Sequence, residues 1–181
     1  MTLFKKISIA VLTLILAVVG YFYYALFINP KSPQGTAVFD KDDLQMEVTY
    51  YRPYKNGRLI FGDESQGALL PYGKYWRLGA NLATKIEINQ AITFAGVELK
   101  AGSYRLYAYP QEIYWELIVH SDSFGSSAQE PDPEGIIARI NLEKSSLSEI
   151  VEQFTITFEE SAQNILLRMR WETTEINIPI N

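Results

Sequence analysis

The chain has no cysteine and one histidine, His120, and each scarcity closes off chemistry. Without thiols there is no disulfide, no thiolate nucleophile and no lipid attachment through a cysteine, so a domain outside the cytoplasm must be held by its core alone. One histidine also removes the usual zinc sets and leaves only carboxylate sites for a hard cation. The acid-rich stretches are Asp40-Lys41-Asp42-Asp43 and the group Glu130, Asp132 and Glu134. Neither follows the twelve-residue calcium-loop pattern, so both read as solvated loops, and no metal or other cofactor is expected. A glycine-rich nucleotide loop and a zincin motif are absent too. Ala101-Gly102-Ser103 precedes a strand-like run rather than a helix, so it is no phosphate cradle.

Charge is missing altogether from residues 7–28, ISIAVLTLILAVVGYFYYALFI. At 1.5 Å per residue this run spans roughly 33 Å as a helix, close to the hydrocarbon thickness of a bilayer. Lys5 and Lys6 precede it and Lys31 follows, while Tyr21, Phe22, Tyr23 and Tyr24 gather toward its far end. This pattern predicts a single-pass signal anchor in a cytoplasmic (inner) membrane. Residues 1–6 then lie inside, and the C-terminal part lies in the periplasm or outside. A cleaved signal peptide is the rival reading, but Ala17-Val18-Val19 and Ala25-Leu26-Phe27 match a cleavage site poorly.

Residues 29–35, NPKSPQG, read as a short linker, and residues 36–181 as one domain. Beyond Gln34 thirteen Lys or Arg face twenty-one Asp or Glu, a formal charge of minus eight. That balance argues against nucleic acid and against an acidic lipid surface as partners. A local basic group is nevertheless present in Arg52, Lys55, Arg58, Lys74 and Arg77.

The domain contains no long amphipathic helix. Apolar residues instead recur two apart, in Ile86 and Ile88, Ile92 and Phe94, Trp115 to Val119, Phe154 to Phe158, Ile165 to Trp171 and Ile176 to Ile180. Lys85, Glu87, Glu116, Arg168, Arg170, Glu175 and Asn177 fall on the opposite faces. Eight to ten short strands with mostly antiparallel pairing predict an all-β domain, an antiparallel β-sandwich or jelly-roll-like fold, with a partly open barrel as the alternative. Residues 121–135 read as a long loop, and residues 142–151 as room for one helical turn.

Three motifs now stand out. Arg52-Pro53, Gly57-Arg58 and Ile60-Phe61-Gly62 form the first. Pro71-Tyr72-Gly73, Trp76-Arg77, Gly79-Ala80-Asn81 and Ala83-Thr84 form the second, and residues 99–110 the third. In this order they resemble the bacterial DUF2911 family, with its RPxxKGRxIFG, VPYGxxWRTGANEAT and LxAGxYxLxxIP segments. The resemblance extends over nearly the whole domain and implies an exported protein of unassigned function, found mainly in Bacteroidetes-like organisms. The family's common form is secreted with a cleavable signal, whereas this chain keeps its hydrophobic segment. Leu82 stands where the family usually has glutamate, which puts any role of that carboxylate in doubt, and Leu70 stands where valine is common. Phe124-Gly125 occupy the loop position where a tryptophan is often found.

Arg52, Arg58, Tyr72, Trp76, Arg77 and Asn81 make the candidate ligand surface, because guanidinium forks take carboxylate or phosphate while an indole, a phenol and an amide orient an organic ligand. The competing reading is that these groups satisfy backbone carbonyls and fix loops. Tyr50, Tyr51, Tyr54 and Tyr75 lie nearby and would suit a sugar or aromatic ligand if they line a groove. His120, beside Ser121 and Asp122, reads as a surface or edge histidine, since adjacent residues do not form a triad with one another. Glu87, Glu98, Glu116 and Glu172 are the acids available to a hydrolase, with no separation fixed by the sequence. The expected function is a membrane-anchored envelope module that binds a small molecule, a glycan or an envelope protein, or that is structural. An envelope hydrolase with an unrecognised carboxylate site and a protein-protein scaffold are the alternatives.

Overall fold

A computed structural model describes residues 2–28, 30–122, 129–161 and 164–181. Contacts divide the chain into two compact units, Met1–Pro33 and Gln34–Asn181. The first holds helix α1, Leu3–Tyr23, which runs into a π-helical turn over Tyr24–Ile28. The helix starts before the uncharged run, so Lys5 and Lys6 lie in its first turns. It is long and apolar enough to cross a membrane, and none of its residues is buried. A helix apolar on all sides has no polar face to offer water.

The second unit is mostly β-sheet. Its strands are β1 (Gln34–Lys41), β2 (Leu44–Tyr51), β3 (Phe61–Gly62), β4 (Leu70–Pro71), β5 (Thr84–Ile88), β6 (Ile92–Phe94), β7 (Val97–Leu99), β8 (Gly102–Pro110), β9 (Tyr114–His120), β10 (Ile136–Glu160) and β11 (Ile165–Ile180). Nine of them run in the order β1-β2-β5-β8-β9-β10-β11-β6-β7, with antiparallel neighbours, and β3 and β4 form a small parallel pair. The β1–β2 hairpin turns through Asp42 and Asp43, both at positive φ, as a two-residue loop matching strand twist requires.

Strand β10 carries the architecture. Its first part, from Ile136 to Glu143, pairs with β9, and the rest pairs with β11 in three parts, Lys144 to Ser146, Val151, and Thr155 to Glu160. Register shifts on either side of Val151 mark irregularities between these parts, as bulges that bend a strand do. Residues 142–151 are therefore extended, not helical: Leu142 and Glu143 are paired to Trp115 and Tyr114, and Lys144 to Ile176. In β11 the inward residues switch from Leu167, Met169 and Trp171 to Thr174, Ile176, Ile178 and Ile180. Glu172, at φ 56°, sits where the phase changes. Two alternations of opposite parity thus belong to one strand.

Inward faces of both halves share one core, from Val48, Ile86, Leu106 and Leu117 to Phe154, Ile156, Leu167 and Ile178. All three tryptophans enter it. Trp76 stacks on Trp171 at 6.0 Å and meets Trp115 edge-on at 5.2 Å, while Phe61 touches all three. Truncating such a side chain typically costs about 3–5 kcal/mol.

Candidate functional site

The sequence-nominated surface is not one groove. Arg52 reaches β10, donating from Nε to the Phe154 carbonyl at 3.4 Å and from Nη2 to Thr155 Oγ1 at 3.3 Å. Its neighbours continue the same edge: Phe154 N–H donates to the Pro53 carbonyl at 3.0 Å, and Ile156 N–H to the Tyr50 hydroxyl at 2.8 Å. Side chains and loop thereby satisfy backbone groups of β10 that β11 does not reach. A Cβ on Gly35 would lie 2.5 Å from Arg52 Cδ, so that glycine makes room for the guanidinium stem.

Arg58 turns back on its own loop, donating to the Lys55 carbonyl at 2.9 Å and to that of Tyr54. Tyr72 is half-buried and packs on the core. Trp76 is 4 % exposed, and its indole N–H donates to the Gly79 carbonyl at 3.1 Å. Arg77 donates to the Asn81 carbonyl at 3.0 Å, and Asn81 itself takes φ 55°. Gly79 is needed for close approach, since a Cβ there would stand 2.7 Å from the Tyr51 carbonyl oxygen. Leu82 is 61 % exposed. Tyr50 and Trp76 lie inside the core, so the tyrosines around them do not share one face.

Alternation places Tyr75 and Arg77 opposite Trp76 and Leu78, and this leads to a second cluster on the outer face of β8 and β9. In β8, Leu106 and Ala108 join the core while Arg105, Tyr107 and Tyr109 point the other way; in β9, Leu117 and Val119 face in while Glu116, Ile118 and His120 face out. Register sets Arg105 beside His120, Tyr107 beside Ile118 and Tyr109 beside Glu116. An outer face is ordinarily wet, yet Arg105 is 1 % exposed, Tyr107 0 % and His120 2 %. Ring centroids lie 5.4 Å apart for Tyr75 and Tyr107, 6.0 Å for Tyr107 and Tyr109, and 6.3 Å for Tyr107 and His120.

His120 is therefore buried, not a surface histidine. Nδ1 accepts the Asp122 backbone N–H at 2.9 Å, which leaves Nε2 to donate to the Asp132 carbonyl at 2.8 Å. A Cβ on Gly135 would lie 2.3 Å from the ring, so the chain passes over the imidazole only because residue 135 is glycine. Ser121 Oγ donates to the Gly135 carbonyl at 3.2 Å. With both ring nitrogens engaged by backbone, His120 fastens one end of the loop to the other. Phe124 and Gly125 lie outside the described residues.

At the rim, Tyr109 donates its hydroxyl to Glu130, and Arg105 Nη2 stands 3.6 Å from the Asp122 carboxylate. Arg139 pairs with Glu116 at 3.1 Å. Beneath the rim, the hydroxyls of Tyr75 and Tyr107 are buried without a hydrogen-bond partner among the described residues. Burial raises the pKa of Tyr75, Tyr107 and Tyr109, and the charge of Glu130 adds to the rise in all three; its hydrogen bond to Tyr109 pushes that phenol furthest. Phenols so placed stay protonated and act as donors, the opposite of what a tyrosinate base needs.

The family model described as a protein of unknown function (DUF2911) matches residues 24–180. The chain belongs to the DUF2911 family. No curated protein and no solved structure matches it. Its DUF2911 match takes in all of the β unit except its last residue. The motif residues Trp76, Gly79 and Asn81 serve core, close approach and turn, whereas Tyr75 and Arg77 between and beside them reach the outer-face cluster. Arg105, Tyr107 and Tyr109 escaped the reading of the sequence because alternation assigns them to solvent. Their signal is three large side chains in a row, two apart, on the face that should be wet.

Among the described residues no group of three or more His, Asp or Glu is placed to hold a metal ion. A depression of about 620 Å³ lies elsewhere, lined by Val38, Asp40, Glu47, Glu87 and Ser103 among others. Glu47 and Glu87 face each other there across β2 and β5, an acidic lining unlike the donor-rich tyrosine cluster.

Proposed function

We propose that the chain is a single-pass, membrane-anchored β-sandwich module of the cell envelope that binds an organic ligand on the outer face of β8 and β9. The observation that carries this reading is that the hydroxyls of Tyr75 and Tyr107, outside the main core, are buried without a hydrogen-bond partner among the described residues. Unsatisfied buried donors cost about 1–3 kcal/mol each, so a pair of them in one cluster supports a partner group that arrives from outside. Of the sequence-nominated residues, Arg77 belongs to this site. Arg52, Arg58, Trp76 and Asn81 support it by fixing the loops and the core. The shared core between the two halves of the folded sheet supports the sandwich description.

Lys5 and Lys6, in the first turns of the helix and ahead of its uncharged run, support an N-terminus inside and the domain in the periplasm or outside. Protease added to the outside of spheroplasts should remove the domain from the membrane fraction; a domain protected until lysis refutes that orientation.

The binding reading is tested with the full chain in non-ionic detergent, by thermal shift against carboxylates, envelope sugars, peptidoglycan fragments and divalent cations. Tyr107→Phe deletes one orphan hydroxyl at nearly constant shape. The variant should be as stable as the parent or up to about 1 kcal/mol more stable, and should lose the rise a ligand gives the parent. Parent and variant shifting alike, or a variant that is markedly less stable with no ligand found, would count against a site here.

A further inference from the structure

Glu130 and Asp122 occupy the mouth of the tyrosine cluster in a particular way. Each is an exposed carboxylate at the rim, and each is engaged by a donor rising from the covered outer face: Tyr109 for Glu130, Arg105 for Asp122. Two further donors, the hydroxyls of Tyr75 and Tyr107, lie below without partners among the described residues. Arg105 stands beside His120 in the β8–β9 register, and Arg139 pairs with Glu116, the neighbour of Tyr109. A cradle of neutral phenols and guanidinium groups, in a place where water is largely excluded, is a set of donors with few acceptors. Its chemical complement is an acceptor-only anion with several lone pairs, and a carboxylate fits that description. The chain itself presents one carboxylate, Glu130, to a phenol of the cluster and another, Asp122, to its arginine.

We propose that the outer-face cradle recognises a carboxylate-bearing ligand and that Glu130 holds the place of that carboxylate from within the chain. The inference rests on the binding reading above and names its ligand class. Glu130 acts as a built-in competitor: it keeps Tyr109 satisfied when the site is free, and an incoming carboxylate must displace it. The cost of that displacement sets a threshold concentration for the ligand and favours ligands that also reach Tyr75 and Tyr107. Phosphate offers similar oxygens and is separated from carboxylate by the measurement below.

The test is chemical rescue in the full chain in non-ionic detergent. Glu130→Ala removes an exposed side chain and leaves a carboxylate-sized gap next to Tyr109; Glu130→Gln fills the gap without the charge. Melting temperatures are measured in sodium acetate, in inorganic phosphate, in sodium chloride at equal ionic strength and in acetamide, the neutral isostere. Acetate should raise the melting temperature of Glu130→Ala by a few degrees, with little effect on the parent or on Glu130→Gln, and adding Tyr109→Phe to Glu130→Ala should abolish the rise. An equal rise in chloride would reduce the effect to salt and overturn the proposal. An equal rise with acetamide would overturn carboxylate recognition while leaving a binding cradle in place, and a rise with phosphate alone would move the ligand class to phosphate. No rise with any additive, together with a destabilised Tyr107→Phe, would overturn both the ligand class and the binding reading beneath it.

Discussion

Single residues decide how the two ends of the connection from β9 to β10 are held. Gly135 contributes no side chain, and that is its role: the His120 ring fills the space where a Cβ would stand. Gly135→Ala should destabilise the protein by about 1–3 kcal/mol, because an overpacked ring must leave its position between the Asp122 N–H and the Asp132 carbonyl. Denaturant unfolding measures the loss. In the background of His120→Ala the added methyl has room, so the two changes should be clearly non-additive. Additive losses would show that His120 and Gly135 are not coupled. Leu82, by contrast, is exposed where the family usually carries glutamate, so nothing in the packing of this domain demands an acid there.

At the scale of elements, the two arginines that look alike in the sequence separate. Arg52 bridges from the end of β2 to backbone and side chain of β10, and Gln153 Nε2 returns a bond to the Arg52 carbonyl at 3.1 Å. Arg77 closes a loop of five residues by one bond to Asn81. Arg52→Met should therefore cost about 1–3 kcal/mol, and Arg77→Met about 1 kcal/mol or less. Equilibrium unfolding of the two variants checks the order. If Arg77→Met proved the more damaging, the assignment of Arg52 to the exposed edge of β10 would be wrong. The same scale explains β11, whose two apolar alternations disagree in parity until Glu172 is seen to absorb one residue.

For the molecule as a whole, alkaline pH is the informative variable. Tyr72, Tyr75, Tyr107 and Tyr109 all have folded pKa values above the ordinary 10.0, burial being the first cause in each. In the unfolded chain these phenols ionise near their ordinary value while the folded ones keep their protons. Between those pH values the folded state binds more protons, so stability falls as pH rises. The contribution of these phenols is intact below about pH 10 and is lost progressively above it. Melting temperatures followed upward from pH 9, with tyrosinate absorbance recorded alongside, should show a class of tyrosines that ionises only as the fold is lost. Full ionisation of every tyrosine before any unfolding would contradict the burial of this cluster.

What the residues determined alone is what depends on local pattern. An uncharged apolar run gives a helix long enough to cross a membrane, because hydrocarbon thickness and helix rise are fixed lengths. Alternation gives the strands and their core faces, because side chains in a strand point to opposite sides. Motif order gives the family. Tertiary structure alone decided where the nominated site residues went. Backbone carbonyls of β10 claimed Arg52, the core claimed Trp76, and covered outer-face positions that alternation leaves to water became the tyrosine cluster. Period two says which face a residue occupies, but whether another segment covers that face is a long-range contact, of which the run Arg105, Tyr107 and Tyr109 is a local trace and not a determinant.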